Sequence, residues 1–300
     1  MAKVYKLTPA IKDYLWGGNK LNNFGKTAPT KRLAESWELS FTKDGEATLP
    51  DGRPLSEVFG KSAFGTACRE LDSFPVLTKF IDAKEKLSVQ VHPSDEYALS
   101  NEGQYGKTEA WYVVDAEEGA GLYMGFRREC SKEEVLKAVK DGSIEELLSF
   151  EPVFRGDTFF IPAGTVHAIG RGVLIYEIQQ NSTLTYRLYD YKRKDSDGRE
   201  RELHIDKALD VAKLCEYSMP DEKDPSLIGK CKYFEARINK IENEALFDVN
   251  EDSFLALTCT SGFGRIEDEP ISLGDTFFIP ASSGKIRLVG NIEVISVKVN

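Results

Sequence analysis

The sequence predicts a mainly β protein, built as two related β-sandwich units with a short helical insertion. Three observations carry that expectation. The stretch Gly156-Asp157-Thr158-Phe159-Phe160-Ile161-Pro162-Ala163 returns unchanged at Gly274 to Ala281, and an internal repeat marks one supersecondary unit used twice. Apolar residues come in short alternating runs bounded by Gly, Pro and Asn, as half-buried strands require. A length of 300 residues sets a soft prior of two domains. The expected division is 1–218, holding the helical segment 131–150, and 219–300.

Composition narrows the class. With 41% hydrophobic residues there is ample material for a core. A formal charge of -10 argues against nucleic acid, whose binding needs a basic face. An anionic small molecule would need Lys and Arg concentrated locally against the overall field. The start of the chain carries no apolar signal core, and no apolar run approaches a membrane span. A cytoplasmic protein without membrane partners is therefore expected. The five cysteines, Cys68, Cys130, Cys215, Cys231 and Cys259, form no C-x-x-C pair and read as reduced, mostly core residues.

In chain order, Ala34 to Ser40 alternates like a strand with one buried face. Trp16 and Trp37 read as core. Gly45, Pro50, Gly52 and Pro54 punctuate a turn-rich connection, and Leu55 to Phe59 suits a short helix. Pro75 to Ile81 and Leu87 to His92 read as strands, and Pro93 ends the second. Within it, Leu87, Val89 and Val91 share one face while Ser88, Gln90 and His92 share the other. Asn101 to Lys107 is a loop leading to a strand over Thr108 to Val114.

Ser131 and Glu134 have capping-box spacing ahead of the apolar stripe Val135, Leu136 and Val139, and Gly142 stops that helix. Ser143 to Leu148 repeats the signature on a smaller scale. Val173 to Ile178 and Leu184 to Tyr189 read as strands, Lys192 to Glu202 as an exposed loop, and Ile205 to Ala212 as a helix. Met219 to Pro225 is the best linker. From Leu246 to Asn300 short strands separated by turns are expected, with no helix.

Of the three histidines, His92 and His167 sit at strand ends among polar neighbours. With Gln90 on the face of His92 and Glu109 at the beginning of the next strand, four donors could converge on one ion. Two imidazoles and a carboxylate suit zinc, and the same trio describes a facial triad for ferrous iron. In the second copy of the repeat Ser282 and Lys285 stand where the first has Gly164 and His167, so only the first unit is expected to hold a metal.

The spacing Gly156-x5-Pro162-x-Gly164-x2-His167 resembles the second cupin motif, a likeness that implies cupin-like (jelly-roll) sandwiches for the two units. The wider set Gln90-Val91-His92-Pro93, Lys107-Thr108-Glu109 and Thr185-Tyr186-Arg187-Leu188-Tyr189-Asp190 resembles the type I mannose-6-phosphate isomerases, in their compact bacterial branch. Tyr14-Leu15-Trp16-Gly17 and Ala34-Glu35-Ser36-Trp37-Glu38 extend the likeness over most of residues 10–195, in the family's order. Two departures stand out. Glu109 lies further beyond His92 than in the general cupin motif, and Arg171 stands where that motif often has Asn.

The resemblance implies one Zn2+ per chain on Gln90, His92, Glu109 and His167, with Lys79, Lys107 and Arg187 lining a sugar-phosphate site. It implies interconversion of mannose 6-phosphate and fructose 6-phosphate through an enediol. Lys107 is then the first choice for proton transfer, since burial beside a dication favours a neutral, basic lysine. Glu109 and water at the ion are rival bases, and Arg187 holds substrate oxygens bidentately. The alternatives are an iron-dependent cupin oxygenase and a non-catalytic sugar-binding cupin. A monomer or homodimer is expected.

Overall fold

The computed structural model describes residues 4–28, 30, 32–194, 197–219 and 224–300. Its first strands are β1 (Tyr5–Lys6), β2 (Ala10–Lys12), β3 (Glu35–Leu39), β4 (Val76–Ala83), β5 (Val89–Val91) and β6 (Glu109–Ala116). Then come β7 (Gly121–Phe126), β8 (Leu148–Pro152), β9 (Thr158–Ile161), β10 (His167–Ile169), β11 (Val173–Gln180) and β12 (Tyr186–Tyr189). The last third holds β13 (Leu227–Lys230), β14 (Glu235–Val249), β15 (Leu255–Ile266), β16 (Glu269–Ser272), β17 (Thr276–Ile279) and β18 (Gly284–Lys298). The α-helices are α1 (Leu55–Val58), α2 (Asp95–Glu102), α3 (Lys132–Asp141), α4 (Ile144–Leu147) and α5 (Ile205–Val211).

The antiparallel strands form three sheets. Their orders are β2-β3-β4-β11-β6-β9, β12-β5-β10-β7-β8 and β1-β17-β15-β18-β14-β13, with β16 added on β15. The first two sheets face each other, and Ile81, Trp111, Leu122, Met124, Ile169 and Ile175 from both fill the space between them. The helices α3, α4 and α5 cover the far side of the five-stranded sheet, where Val135, Val139, Ile144 and Leu209 pack on Val89, Val91, Ala168 and Leu188. The third sheet encloses its own core of Leu257, Phe277, Ile279, Ile286 and Leu288.

The C-terminal sheet is packed against the back of the six-stranded sheet. Phe74, Phe80, Tyr176, Phe254, Phe278 and Ile295 belong to one shared core. Rings of Phe74 and Phe254 lie 4.9 Å apart, and those of Phe254 and Phe278 lie 5.5 Å apart. Each such side chain contributes about 1.5–3 kcal/mol on full burial, far more adhesion than a hinge-like contact between domains. A buried polar chain crosses the same interface. Lys26 Nζ lies 2.8 Å from Glu38 Oε1 and donates to Gly274 O at 2.6 Å. Thr276 donates to Glu38 at 2.9 Å, Thr258 lies 3.0 Å from Thr276, and Tyr176 joins Thr258 at 2.7 Å to Thr78 at 2.8 Å.

This packing corrects several expectations. All five residues of β3 are buried, instead of one face, because β3 has the sandwich interior on one side and the C-terminal unit on the other. The C-terminal strands are long, with β14 and β18 each of 15 residues. Their glycines sit inside the ladder: a Cβ on Gly262 would lie 2.2 Å from Asn291 O, so this glycine marks a close backbone approach, not a turn. The helix α2 has no apolar stripe to announce it. It is started by Ser94, whose hydroxyl accepts from Tyr97 N, and stopped by Gly103. Ser131 caps α3 as expected, whereas Ser143 gives α4 no cap and instead donates to Asp141 at 2.6 Å. The expected linker falls mostly on residues 220–223, outside the described residues.

The duplicated stretch builds the same turn and strand twice. Asp157 Oδ2 accepts from Phe154 N at 2.8 Å and Asp275 Oδ2 from Ser272 N at 3.0 Å. Each then leads into a four-residue strand, β9 or β17. Gly164 at φ 87° and Ser282 at φ 65° share the left-handed conformation that follows. His167 is fully buried, while Lys285 is exposed.

Candidate active site

Sheet register gathers residues that are far apart in sequence. Across β12, β5 and β10, Arg187 pairs with Gln90 and Gln90 with His167. Directly opposed residues of an antiparallel pair point to one face. Across the facing sheet a second row runs Trp37, Lys79, Glu177 and Trp111. His92 follows β5 and Glu109 opens β6, so strand ends from both sheets meet at one edge of the sandwich.

The closest meeting is among His92, Glu109 and His167, all buried, whose donor atoms lie within 4.8 Å of one another. His92 Nε2 is 3.2 Å from Glu109 Oε1, and His167 Nε2 is 3.7 Å from Glu109 Oε2. The other ring nitrogens are anchored on backbone carbonyls: His92 Nδ1 to Leu184 O at 2.8 Å and His167 Nδ1 to Thr165 O at 2.9 Å. An Nδ1–H that donates to a carbonyl leaves Nε2 with its lone pair directed at the shared centre. The Gln90 amide reaches the same point, 3.3 Å from His167 Nε2.

This donor set fits a metal ion. His92 Nε2 and both carboxylate oxygens of Glu109 are buried without a hydrogen-bond partner, and buried polar atoms are rarely left so. Burial, followed by the Lys107 charge, pushes His92 down to about 3, so its imidazole is neutral at pH 7. Burial lowers His167 as well. Burial opposes ionisation of Glu109, yet Lys107 and His92 outweigh it and hold the carboxyl well below the usual range.

Beside this centre lies an alternating array of charges. Lys107 Nζ is 2.7 Å from Glu109 Oε1, an ion pair outside hydrogen-bond geometry, and 3.9 Å from Glu177 Oε1. Lys79 Nζ is 3.1 Å from Glu177 Oε1 and 3.4 Å from Glu35 Oε2. Burial works against the Lys79 charge, but Glu177, Glu35 and Glu109 reverse it and keep the ammonium above the ordinary lysine range. Glu177 differs: burial and then the Glu109 charge push its carboxyl up. Trp111 donates to its other oxygen at 2.8 Å.

The charge array and Gln90 border one cavity of about 340 Å³, lined by Gln90, Lys79, Lys107, Glu177 and Arg187, together with Lys12, Tyr14, Glu35, Asp44 and Arg201. Cations outnumber carboxylates on its wall, the local concentration that an anionic ligand requires. Trp16 and Trp37, read as core from the sequence, also form part of the wall. Glu177 and Arg201 were missed by sequence reasoning. A glutamate within the apolar run Val173 to Ile178 was the available signal for the first. Arg201 lay in a charged loop with nothing to distinguish it.

Known proteins resemble this chain along nearly its whole length. The family model for the type I phosphomannose isomerase catalytic domain matches residues 4–120, and that for the mannose-6-phosphate isomerase cupin domain matches residues 226–299. Mannose-6-phosphate isomerase ManA of Bacillus subtilis is 38% identical over 304 residues, covering 96% of each chain. The Streptococcus mutans mannose-6-phosphate isomerase is 35% identical, covering 99% of this chain and 98% of its own. A crystal structure of the Bacillus subtilis mannose 6-phosphate isomerase superposes with a TM-score of 0.87 at 35% identity, covering 99% of both chains. These relatives favour the isomerase over the oxygenase and the non-catalytic cupin. With that identity across both units, the chain belongs to the type I mannose-6-phosphate isomerases, aldose–ketose isomerases that interconvert mannose 6-phosphate and fructose 6-phosphate.

Proposed function

We propose that the cavity beside His92, Glu109 and His167 is where the isomerisation takes place, through an enediol, with one Zn2+ per chain held by Gln90, His92, Glu109 and His167. The observation that carries this is the buried cluster of His92, Glu109 and His167, neutral at both imidazoles and with His92 Nε2 and both Glu109 oxygens lacking a hydrogen-bond partner, beside a cavity lined by Gln90, Lys79 and Lys107. Bound there, zinc supplies Lewis-acid polarisation of the C1 or C2 oxygen. The remaining work falls to the chain's own side chains.

Lys107 moves the proton between C1 and C2. Its Nζ stands between Glu109 and Glu177, which can relay its charge. One observation favours a second carrier: burial and the Glu109 charge push the Glu177 carboxyl up, and its Oε1 faces both Lys79 and Lys107, as suits a group that exchanges protons. Lys79, locked as a cation, holds Glu177 and Glu35 in place and lends its charge to the substrate. Arg187 grips the sugar phosphate.

Residues 1–218 then form the catalytic unit and 219–300 a cupin-like unit without a metal site. The protein works in the cytoplasm as a monomer or homodimer. Five free cysteines support that compartment, as does the lack, among the described residues, of a helix long and apolar enough to cross a membrane.

A coupled assay on mannose 6-phosphate, run with and without chelator, is the test. Turnover should vanish on chelation and return with zinc. Turnover that survives complete metal removal would overturn the reading.

A further inference from the structure

We infer that Arg201 is the second arm of a phosphate clamp whose first arm is Arg187, and that Asp190 positions it; the inference rests on the isomerase reading above. Nothing in the chain order suggests this pairing. The fold creates it by folding residues 201–204 back along β12. His204 N donates to Arg187 O at 2.8 Å, and Arg187 N donates to His204 Nδ1 at 3.3 Å. Arg201 then grips Asp190 with two parallel bonds, Nε to Oδ2 at 2.7 Å and Nη2 to Oδ1 at 2.6 Å. Asp190 is buried and follows β12 directly. Both guanidinium groups therefore come from neighbouring backbone segments and line the same cavity.

Charge and valence point to a dianion between them. Arg193 and Arg201 share the one buried carboxylate of Asp190, so that carboxylate balances only one of the two. On the cavity wall five cations (Lys12, Lys79, Lys107, Arg187 and Arg201) face three carboxylates (Glu35, Asp44 and Glu177), an excess of two positive charges, and a phosphate monoester carries about -1.5 to -2 at neutral pH. The Glu202 side chain is 82% exposed and turned to solvent. Donors remain free for a ligand as well. Among the described residues, Arg201 uses its Nε–Nη2 edge on Asp190 and leaves Nη1 over, while Arg187 Nε is buried without a hydrogen-bond partner and its Nη1 makes one bond of 3.4 Å to Glu202 O. A guanidinium with an unmet buried donor is a preformed oxyanion receptor.

The location fits a sugar phosphate. Arg187, Gln90 and His167 occupy consecutive strands, so the clamp sits about two strand spacings, roughly 10 Å, from the donor triad. An open-chain hexose 6-phosphate has its reacting C1 and C2 at one end and its phosphate at the other.

Three full-length proteins test this: wild type, Arg201→Met and Arg201→Lys, each checked for an unchanged melting temperature. Titration calorimetry with inorganic phosphate should show binding to wild type, weakened roughly ten- to a hundredfold by Arg201→Met, the worth of a lost charge-assisted contact. Arg201→Lys should recover part of it. KM for mannose 6-phosphate should rise by a similar factor while kcat falls little. Phosphate affinity and KM unchanged in Arg201→Met would overturn the clamp, as would a loss confined to kcat. Phosphate binding that depends on Arg201 in a protein unable to isomerise mannose 6-phosphate would uphold the clamp and reject the reaction instead.

Discussion

Lys107 Nζ lies 2.7 Å from Glu109 Oε1, although the two residues are separated by Thr108 alone and approach from just before and at the start of β6. An amine held against a candidate metal ligand is placed to exchange a proton with a substrate bound in the adjoining cavity. Replacing Lys107 with Met should lower kcat by about 10²–10⁴-fold, with metal content by atomic absorption unchanged. Near-normal turnover would remove Lys107 from the chemistry.

Glu177→Gln keeps the shape of the side chain and its reach to Trp111 while removing the charge between Lys79 and Lys107. Turnover should fall by about 10²-fold or more, with metal retained because Glu177 is outside the donor triad. If Glu177 is the proton carrier in place of Lys107, one limb of the wild-type pH–rate profile disappears in the variant. Rate measurements from pH 5 to 9 separate the two.

Stability of the metal-free protein should depend on pH through the buried imidazoles. His92 in the fold protonates only at about 3, whereas an unfolded histidine takes up its proton near pH 6.5. Between these values the unfolded chain binds more protons, so stability rises with pH and is lost as pH falls from 6.5 towards 3. Each such histidine contributes up to about 1.4 kcal/mol per pH unit. Urea unfolding of chelated protein at pH 7, 6 and 5 should show the decline, and His92→Gln should make it shallower. An identical slope in the variant would contradict the assignment.

The Lys26–Glu38 pair offers a stability test away from the chemistry. Both side chains are buried, and Lys26→Met would leave Glu38 with the hydroxyls of Ser36 and Thr276 as its partners. Removing one member of a buried pair costs about 3–5 kcal/mol. Denaturant midpoints would register this, and a loss under 1 kcal/mol would mean that water reaches Glu38.

The donor triad was legible because its elements are local: a strand ending in Gln90-Val91-His92-Pro93, a strand opening at Glu109, and a repeat broken at His167. Glu177 and Arg201 were not, for two different reasons. Glu177 becomes special through register, since only the pairing with Lys79 and Trp111 aims it into the cavity. Arg201 depends on a loop folding back onto Asp190, a contact without periodicity. Similarly, the full burial of β3 follows from a sheet supplied by the far end of the chain. The helix α2 explains the long gap between His92 and Glu109, because it is inserted between their strands.

The strand β1 deserves its own reading in terms of synthesis. Tyr5 pairs with Phe278 and Lys6 with Phe277, so β1 is synthesised well before the strands with which it completes a sheet. Loop closure over that distance is slow, and partly made sheets expose unpaired edges. During synthesis the apolar back of the six-stranded sheet therefore stays uncovered until Phe254 and Phe278 arrive. A chain ended before Phe254 by a premature stop would retain His92, Glu109 and His167 and lack the strands that cover the apolar back of the six-stranded sheet, leaving that face open to aggregation.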